Sequence, residues 1–379
     1  MSEVFNLQMG KTPSRENPLY WNGRETWVSI GDLGFSKYIS TSKECITKRA
    51  VAETGIKISP KGSVLMSFKL SVGKTAIAAT DLYSNEAIMS FNPKEGFLLS
   101  PEYVYYYLKE YKWDGLNRAV MGFTLNKNTI SQGVFSYPPL EEQERIVAEL
   151  DLLTGVIEKQ KAQLKELDNL AQSIFYDMFG DIESNDNGFR CCKLIEVVDS
   201  TCSLSYGIVQ PGDDVEDGIP VVRPIDLKST YVGLHGLKKT SVNISNSYKR
   251  TILQGNEILL CVRGTTGDLS ITRPELKGCN TTRGIVPIRL CDMVETLYAY
   301  YLFKSNSLQK IIREKTYGAT LKQINIKDVK DLPVVLPPLQ LQQQFAEKIE
   351  AIEHQKTLIK KSIEETQKLF DYTMDKYFG

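Results

Sequence analysis

Hydrophobic residues recur with two different periods along these 379 residues, and the two periods alternate in blocks. Between 138 and 180, Ile146, Leu150, Leu153, Ile157, Gln160, Leu164, Leu167, Ala171, Ile174 and Met178 step by four and three without a break. Between 337 and 379, Phe345, Ile349, Ile352, Lys356, Ile359, Ile363, Thr366, Phe370, Thr373 and Tyr377 do the same. That spacing is a heptad seam, broken by polar residues at Gln160, Lys356, Thr366 and Thr373. Elsewhere the pattern shortens. In 64–71, Val64, Met66, Phe68 and Leu70 alternate with Leu65, Ser67, Lys69 and Ser71, the mark of a half-buried strand. Turn chemistry in IGDLGF, NPKEGF and QPGDDVEDG separates such strands, and the Tyr- and Leu-rich pieces EYVYYYLKEY (102–111) and LYAYYLFKS (297–305) predict short helices on a sheet.

Each heptad stretch carries its own start and stop. Pro138-Pro139 and Pro337-Pro338 suit a helix beginning, where proline's missing amide costs nothing. Glu141 and Glu142 favour the positive end of the helix dipole, and Gly180 and Gly379 fit a left-handed cap. Each helix would be about 60 Å long at ~1.5 Å per residue, too long to be stable without a long partner. A seam with polar breaks fits two helices paired in fixed register within one chain; a homodimeric coiled coil is the competing arrangement.

The chain repeats itself. VLMSFKLSVGKTAI (64–77) aligns with ILLCVRGTTGDLSI (258–271), Asp32-Leu33 with Asp226-Leu227 and Tyr107-Leu108 with Tyr301-Leu302, all at an offset of 194. MGFTLNKNTI (121–130) aligns with YGATLKQINI (317–326) at 196, and PPLEEQERI with PPLQLQQQF at 199. A repeat of nearly two hundred residues implies duplicated domains. The predicted order is a mixed, strand-rich α/β or α+β globule at 1–137, a long helix at 138–180, a second globule at 181–336 and a second long helix at 337–379. An antiparallel helix pair would give the chain an internal pseudo-two-fold axis.

Charge adds a second partition. Lys and Arg stand at 16 against 12 Asp and Glu in 1–137, at 4 against 9 in 138–180, at 20 against 18 in 181–336 and at 6 against 7 in 337–379. The globules are mildly basic and the first helix is acidic, which suggests surfaces with different partners. No stretch reaches a membrane-spanning length, MSEVFNLQMGK offers no signal-peptide core, and the seven irregularly spaced cysteines fit reduced thiols, so a cytoplasmic protein is expected.

No catalytic constellation is legible. His235 and His354 are the only histidines, Cys-x-x-Cys pairs are absent, and neither a P-loop nor a strand-linked G-x-G-x-x-G occurs. GTTGD (264–268) keeps one glycine in its counterpart SVGKT (71–75), so it reads as a turn, and DDVEDG (213–218) as a solvated loop. What remains is polar and basic. Arg15, Trp21, Arg24, Lys69, Lys74, Arg118, Asn126 and Lys127 are candidate DNA-binding residues in the first globule. Arg223, Arg263, Arg273, Arg283, Lys322 and Gln323 are those of the second. Arg and Lys pair with guanine edges or phosphates, and Asn and Gln with adenine. Singly each is an ordinary surface residue; as a set they differ between the globules while the apolar frame repeats.

GATLKQINIKDVKDLPVVLPPLQLQQQFAEKIE (318–350) resembles the end of a target-recognition domain running into the long helix of a type I restriction–modification specificity subunit, and GFTLNKNTISQGVFSYPPLEEQERIVAELD (122–151) resembles the same junction. WVSIGDLG (27–34) and VVRPIDLKS (221–229) are similar to the early strand and Asp-Leu of such domains, and LLCVRGTTGDLSI to their central hairpin. The first junction departs in lacking an Ile-Lys-Asp-Val-like stretch after Asn128. The resemblance, which spans essentially the whole chain, implies two target-recognition domains that each read half of a split double-stranded DNA target, with the helices setting the unread gap. It implies two methyltransferase subunits and restriction/translocase subunits as partners, S-adenosylmethionine, ATP and Mg²⁺ on those partners rather than here, and no catalysis by this chain. A coiled-coil scaffold bridging proteins without DNA is the alternative function; an enzyme would need motifs that the chain lacks.

Overall fold

The structure is a computed structural model and describes residues 1–113, 117–119, 122–319 and 321–379, with the backbone alone described at 117–119, 122 and 123. Contacts divide the chain into two compact units. Unit 1 is residues 1–161 with 361–379, and unit 2 is residues 162–360. Each unit thus holds one globule, the beginning of the long helix that follows it, and the end of the other long helix.

In unit 1 the strands are β1 (Phe5–Met9), β2 (Trp21–Val28), β3 (Tyr38–Ile39), β4 (Glu44–Ile46), β5 (Val64–Ser67), β6 (Lys69–Leu70), β7 (Thr75–Ala78), β8 (Tyr83–Ser84), β9 (Ile88–Pro93), β10 (Asn117–Ala119) and β11 (Gly122–Thr124). They form a five-stranded sheet in the order β1-β9-β5-β7-β3 and two three-stranded sheets, β4-β2-β8 and β10-β11-β6. Its short helices are α1 (Lys48–Thr54), α2 (Pro101–Glu110) and α3 (Lys127–Gln132). The alternation expected at 64–71 is instead a fully buried run, Val64 to Phe68, because β5 is a central strand covered on both faces.

Two long helices follow the predicted blocks: α4 spans Leu140–Phe179 and α9 Leu339–Phe378. Unit 2 contains β12 (Arg190–Lys193), β13 (Ile219–Val222), β14 (Lys238–Thr240), β15 (Ile258–Cys261), β16 (Leu269–Ile271), β17 (Asn280–Thr281), β18 (Ile285–Ile288) and β19 (Pro333–Leu336). Its helices before α9 are α5 (Val242–Ser247), α6 (Thr296–Lys304), α7 (Asn306–Glu314) and α8 (Ile326–Lys330). The sheets are β16-β15-β18, β14-β13-β17 and β12-β19, so the β5–β7–β9 and β2–β4–β8 groupings of unit 1 recur. The Tyr-rich helices α2 and α6 have their apolar faces buried, as predicted.

Within each unit the two long helices pair antiparallel. In unit 1, Tyr377 donates from its hydroxyl to Glu149 at 2.9 Å, and Gln160 Nε2 donates to Ser362 Oγ at 2.7 Å, so the partner runs backwards as the first helix runs forwards. Ile146 and Leu150 are buried there with Met374, and Phe370 packs beside them. In unit 2, Phe345 meets the rings of Phe175 and Phe179 at 5.7 and 5.3 Å, beside Ile349 and Ile352. Of the other seam positions, Ile157 is buried, and Leu153, Leu164, Leu167, Ile174, Ile359 and Ile363 are half-buried.

The seam's polar breaks are built in. Lys356 is only 5% exposed, with its ammonium 2.6 Å from Glu353 and 2.7 Å from Asp168. Burial alone would lower its pKa, but the two carboxylates outweigh that and hold it above the ordinary lysine value. Thr230 donates to the same Glu353 at 2.9 Å. The position equivalent to Lys356 in the first long helix is Ile157, so this charged contact has no duplicate.

A glutamine does have one. Gln143, fully buried, accepts from the Ser100 amide at 2.9 Å and donates to the carbonyls of Leu98 and Pro138 at 3.2 and 2.9 Å. Gln342 accepts from the Glu295 amide at 2.9 Å and donates to Met293 and Pro337 at 3.3 and 2.8 Å. In both units the start of the long helix is thereby fastened to the N-terminus of the Tyr-rich helix.

Candidate nucleic-acid interface

Backbone pairing gathers most of the second unit's candidates on one edge. The Thr282 amide donates to the Val222 carbonyl at 3.0 Å, setting Arg283 beside Arg223. The Val262 amide donates to the Gly284 carbonyl at 2.7 Å and the Gly264 amide to the Lys322 carbonyl at 2.9 Å, while Arg263 and Gln323 form a bridge. Gly284 lies against Pro224 and the Arg263 carbonyl, too close to the proline for a side chain. Arg223, Arg263, Arg283, Lys322 and Gln323 therefore belong to adjoining loops. Arg223 is held by both carboxylate oxygens of Asp226, at 3.0 and 2.9 Å, and that bond keeps its guanidinium above the ordinary arginine value. Arg283 and Lys322 are exposed and, among the described residues, form no ion pair.

Arg273 does not join them. It stands at the far end of the β15–β16 hairpin, its guanidinium 4.0 Å from the Tyr231 ring centre, because a strand separates it from the Gly264 turn. The GTTGD segment is that turn, with Gly264 at φ +92° and Gly267 at φ +99°; its counterpart begins at Leu70 rather than Ser71, because Lys69 stands where Arg263 does.

Unit 1 presents the equivalent edge with other chemistry. The Asn85 amide donates to the Val28 carbonyl as Thr282 does to Val222, and the Lys11 amide to Ser84 as Ile208 does to Thr281. Gly10 and Gly207 make the same close approach, where a β-carbon would overlap the carbonyl oxygens of Ser84 and Thr281. Ser29 with Asp32 forms the capped turn that Arg223 with Asp226 forms in unit 2. Lys69 pairs with Thr124 as Arg263 does with Gln323. Ser29, Lys69 and Thr124 thus stand where unit 2 has Arg223, Arg263 and Gln323, and Glu86 stands where it has Arg283.

This pairing corrects the sequence register at the junction. The Leu125 amide donates to the Phe68 carbonyl as the Ile324 amide does to Val262, and Asn126 and Asn325 both cap a short helix. The offset there is 199, not 196; similar Thr-Leu pairs in unequal loops draw the sequence alignment off. Asn126 and Lys127 are accordingly not the counterparts of Lys322 and Gln323. Asn126 spends its side chain on the Thr129 amide at 2.8 Å, and Lys127 is exposed on the first turn of α3. Nor does the first junction lack the short helix: Lys127–Ile130 occupies the place of Ile326–Val329, with Ile130 and Val329 both buried.

Of the remaining candidates of unit 1, Arg15 and Trp21 lie together. Arg15 is bound by Glu44, one contact measuring 2.9 Å, and its guanidinium lies 3.8 Å from the Trp21 ring centre. Its hydrogen bond to Glu44 holds its pKa above the ordinary value. Arg24 is exposed on β2, Lys74 lies along Gly34, and the Arg118 side chain lies outside the described residues.

A family model described as the type I restriction modification DNA specificity domain matches residues 1–169 and again 210–368. The chain belongs to that family. Among curated relatives of this family, the type I restriction enzyme MjaIX specificity subunit of Methanocaldococcus jannaschii is 25% identical over 374 residues, covering 91% of this chain and 84% of that protein. The EcoBI specificity subunit of Escherichia coli is 25% identical over 252 residues, covering 60% of this chain and 53% of that protein. Solved structures share the fold. A structure described as the structural basis of complex assembly and conformational transition of the type I R-M system has TM-score 0.60 at 19% identity, covering 100% of this chain and 96% of that one. The S subunit from M. genitalium has TM-score 0.54 at 13% identity, covering 100% of this chain and 94% of that one. No helix among the described residues is long and apolar enough to cross a membrane.

Proposed function

We propose that this chain confers DNA sequence specificity on a type I restriction–modification complex, each globule reading one half of a split double-stranded target. Family membership over most of the chain supports the DNA-specificity role. The observation that carries the split is the duplicated edge: one backbone frame, held by equivalent hydrogen bonds, bearing different polar tips in the two units. Phosphate contacts by Lys and Arg would position each unit, and contacts to base edges would give it a sequence.

The paired helices would set the unread gap. Each of α4 and α9 runs for 40 residues. A helix of that length measures about 60 Å, between one and two turns of B-DNA at about 34 Å per turn. Two methyltransferase subunits, and restriction and translocase subunits, would be the partners, with S-adenosylmethionine, ATP and Mg²⁺ held by them. The chain would then carry out no chemistry itself and would work in the cytoplasm.

The test is co-expression with the methyltransferase encoded beside it in a methylation-free host, followed by single-molecule mapping of N6-methyladenine. A split motif with a fixed gap that vanishes without this chain is the expected result. Methylation that ignores the presence of the chain would overturn the reading in favour of a protein scaffold. Inserting one heptad into both helices should lengthen the gap and leave the half-sites unchanged.

A further inference from the structure

We infer that Glu86 and Arg283, which stand at one and the same place in the duplicated frame, are specificity-determining residues that read complementary bases in different half-sites, Glu86 a cytosine and Arg283 a guanine. The inference rests on the DNA reading above and deepens it.

Equivalence is set by the backbone. Each residue follows the amide that ties its loop to the early strand, Asn85 to Val28 and Thr282 to Val222 at 3.0 Å in both units. Each loop also receives the crossing segment at a glycine with no room for a β-carbon, Gly10 and Gly207. The chain therefore delivers residue 86 and residue 283 to matching points on their edges. Both side chains are exposed, so neither is needed to fill a core.

Their charges are opposite, and that restricts what each can do beside a polyanion. Arg283 can approach phosphate or the O6 and N7 acceptors of guanine. A carboxylate is repelled by phosphate; the major-groove partner it suits is an amino donor, and cytosine N4 is its usual one. Glu86 is held ready for that contact. The Thr12 hydroxyl donates to its Oε2, and among the described residues no donor reaches Oε1. The nearby Arg15 is bound by Glu44 and, among the described residues, forms no ion pair with Glu86. The unit 1 edge thus keeps an acid with an open oxygen where its duplicate keeps an open guanidinium.

The experiment is the methylation map of the assembled complex with wild-type chain, Glu86→Gln, Glu86→Arg and Arg283→Gln, each first shown to melt with the wild type. Glu86→Gln should relax one C·G position in one half-site, lowering its discrimination on the order of tenfold. Glu86→Arg should invert that position from C to G. Arg283→Gln should relax one G position in the other half-site and leave the first untouched. If the wild type writes a split motif and all three variants write the same one, the assignment is overturned and the DNA reading stands. If the wild type writes no split motif, both fall.

Discussion

The two units are one fold carrying two surfaces, and they differ where the fold does not depend on the residue. Buried positions repeat: Gln143 and Gln342 make the same three hydrogen bonds, and Gly10 and Gly207 the same close approach. Edge positions diverge: Ser29 against Arg223, Glu86 against Arg283, Leu70 against Gly264. After duplication, a residue that fills a core is fixed by its neighbours, whereas a residue at a strand end is free to take up whatever contact its target requires. Charge thus diverges where the backbone is constant, and it is there that the proposed reading of two half-sites would be written.

The charged seam contact sets the units furthest apart. Lys356→Ala would leave Glu353 buried without its cation. That should cost unit 2 about 3 kcal/mol, read by denaturant unfolding of the full chain. Because the folded pKa of Lys356 is raised, its contribution is fully present at neutral pH and is lost as pH rises through that raised value. Ile157, at the equivalent place, is buried and carries no charge. Its replacement by alanine should cost about 2 kcal/mol at any pH. Equal and pH-independent losses would show that the seam does not distinguish the two halves.

Gln143 and Gln342 each satisfy buried backbone groups. Replacing either by alanine strands those groups and should cost about 2 kcal/mol. Thermal melts giving matched losses would establish the shared fastening, and a silent variant would break it. A smaller effect is expected at the αL turn. Leu70 has φ 65 ° where unit 2 has Gly264 with φ 92 °. Leucine to glycine at 70 should relieve strain of about 1 kcal/mol, and the reverse change at 264 should introduce it; paired melts would read both.

The helix caps differ least. Ser100 caps α2, but Glu295 caps α6, and burial pushes the Glu295 carboxyl above the ordinary glutamate value. The fold therefore holds the Glu295 proton more tightly than the unfolded chain does. Its contribution to stability is fully present below the unfolded pKa and is lost as pH rises through the folded one. Glu295→Ser should match the wild type at acid pH and exceed it by less than about 1 kcal/mol at neutral pH. Melting curves across that range would check the sign.

The long helices are legible because their signals are local: a 3-4 apolar step, a Pro-Pro start and a Gly stop. The duplication is legible because apolar strands repeat. The junction register is not, since a shared Thr-Leu pair outweighs the capping asparagines Asn126 and Asn325 until backbone pairing fixes the frame. Lys356 reads as a flaw in the seam because its partners, Asp168 and Glu353, are seen only once the helices are folded together. Glu86 gives no signal in the sequence at all. A search for basic residues passes over an acid, and only the tie of its loop to Val28 places it opposite Arg283 in the duplicate.

Unit 1 is assembled from two distant segments, residues 1–161 and 361–379. Ile146 and Leu150 are made early in synthesis, yet Phe370 and Met374, which close over them, come more than two hundred residues later. On the ribosome the first globule must therefore wait, with one flank of its helix uncovered, until residues 361–379 have emerged. Loops of that span are slow to close. A chain cut short before residue 361 would leave the same flank uncovered for good, so that completing the first globule depends on making the second.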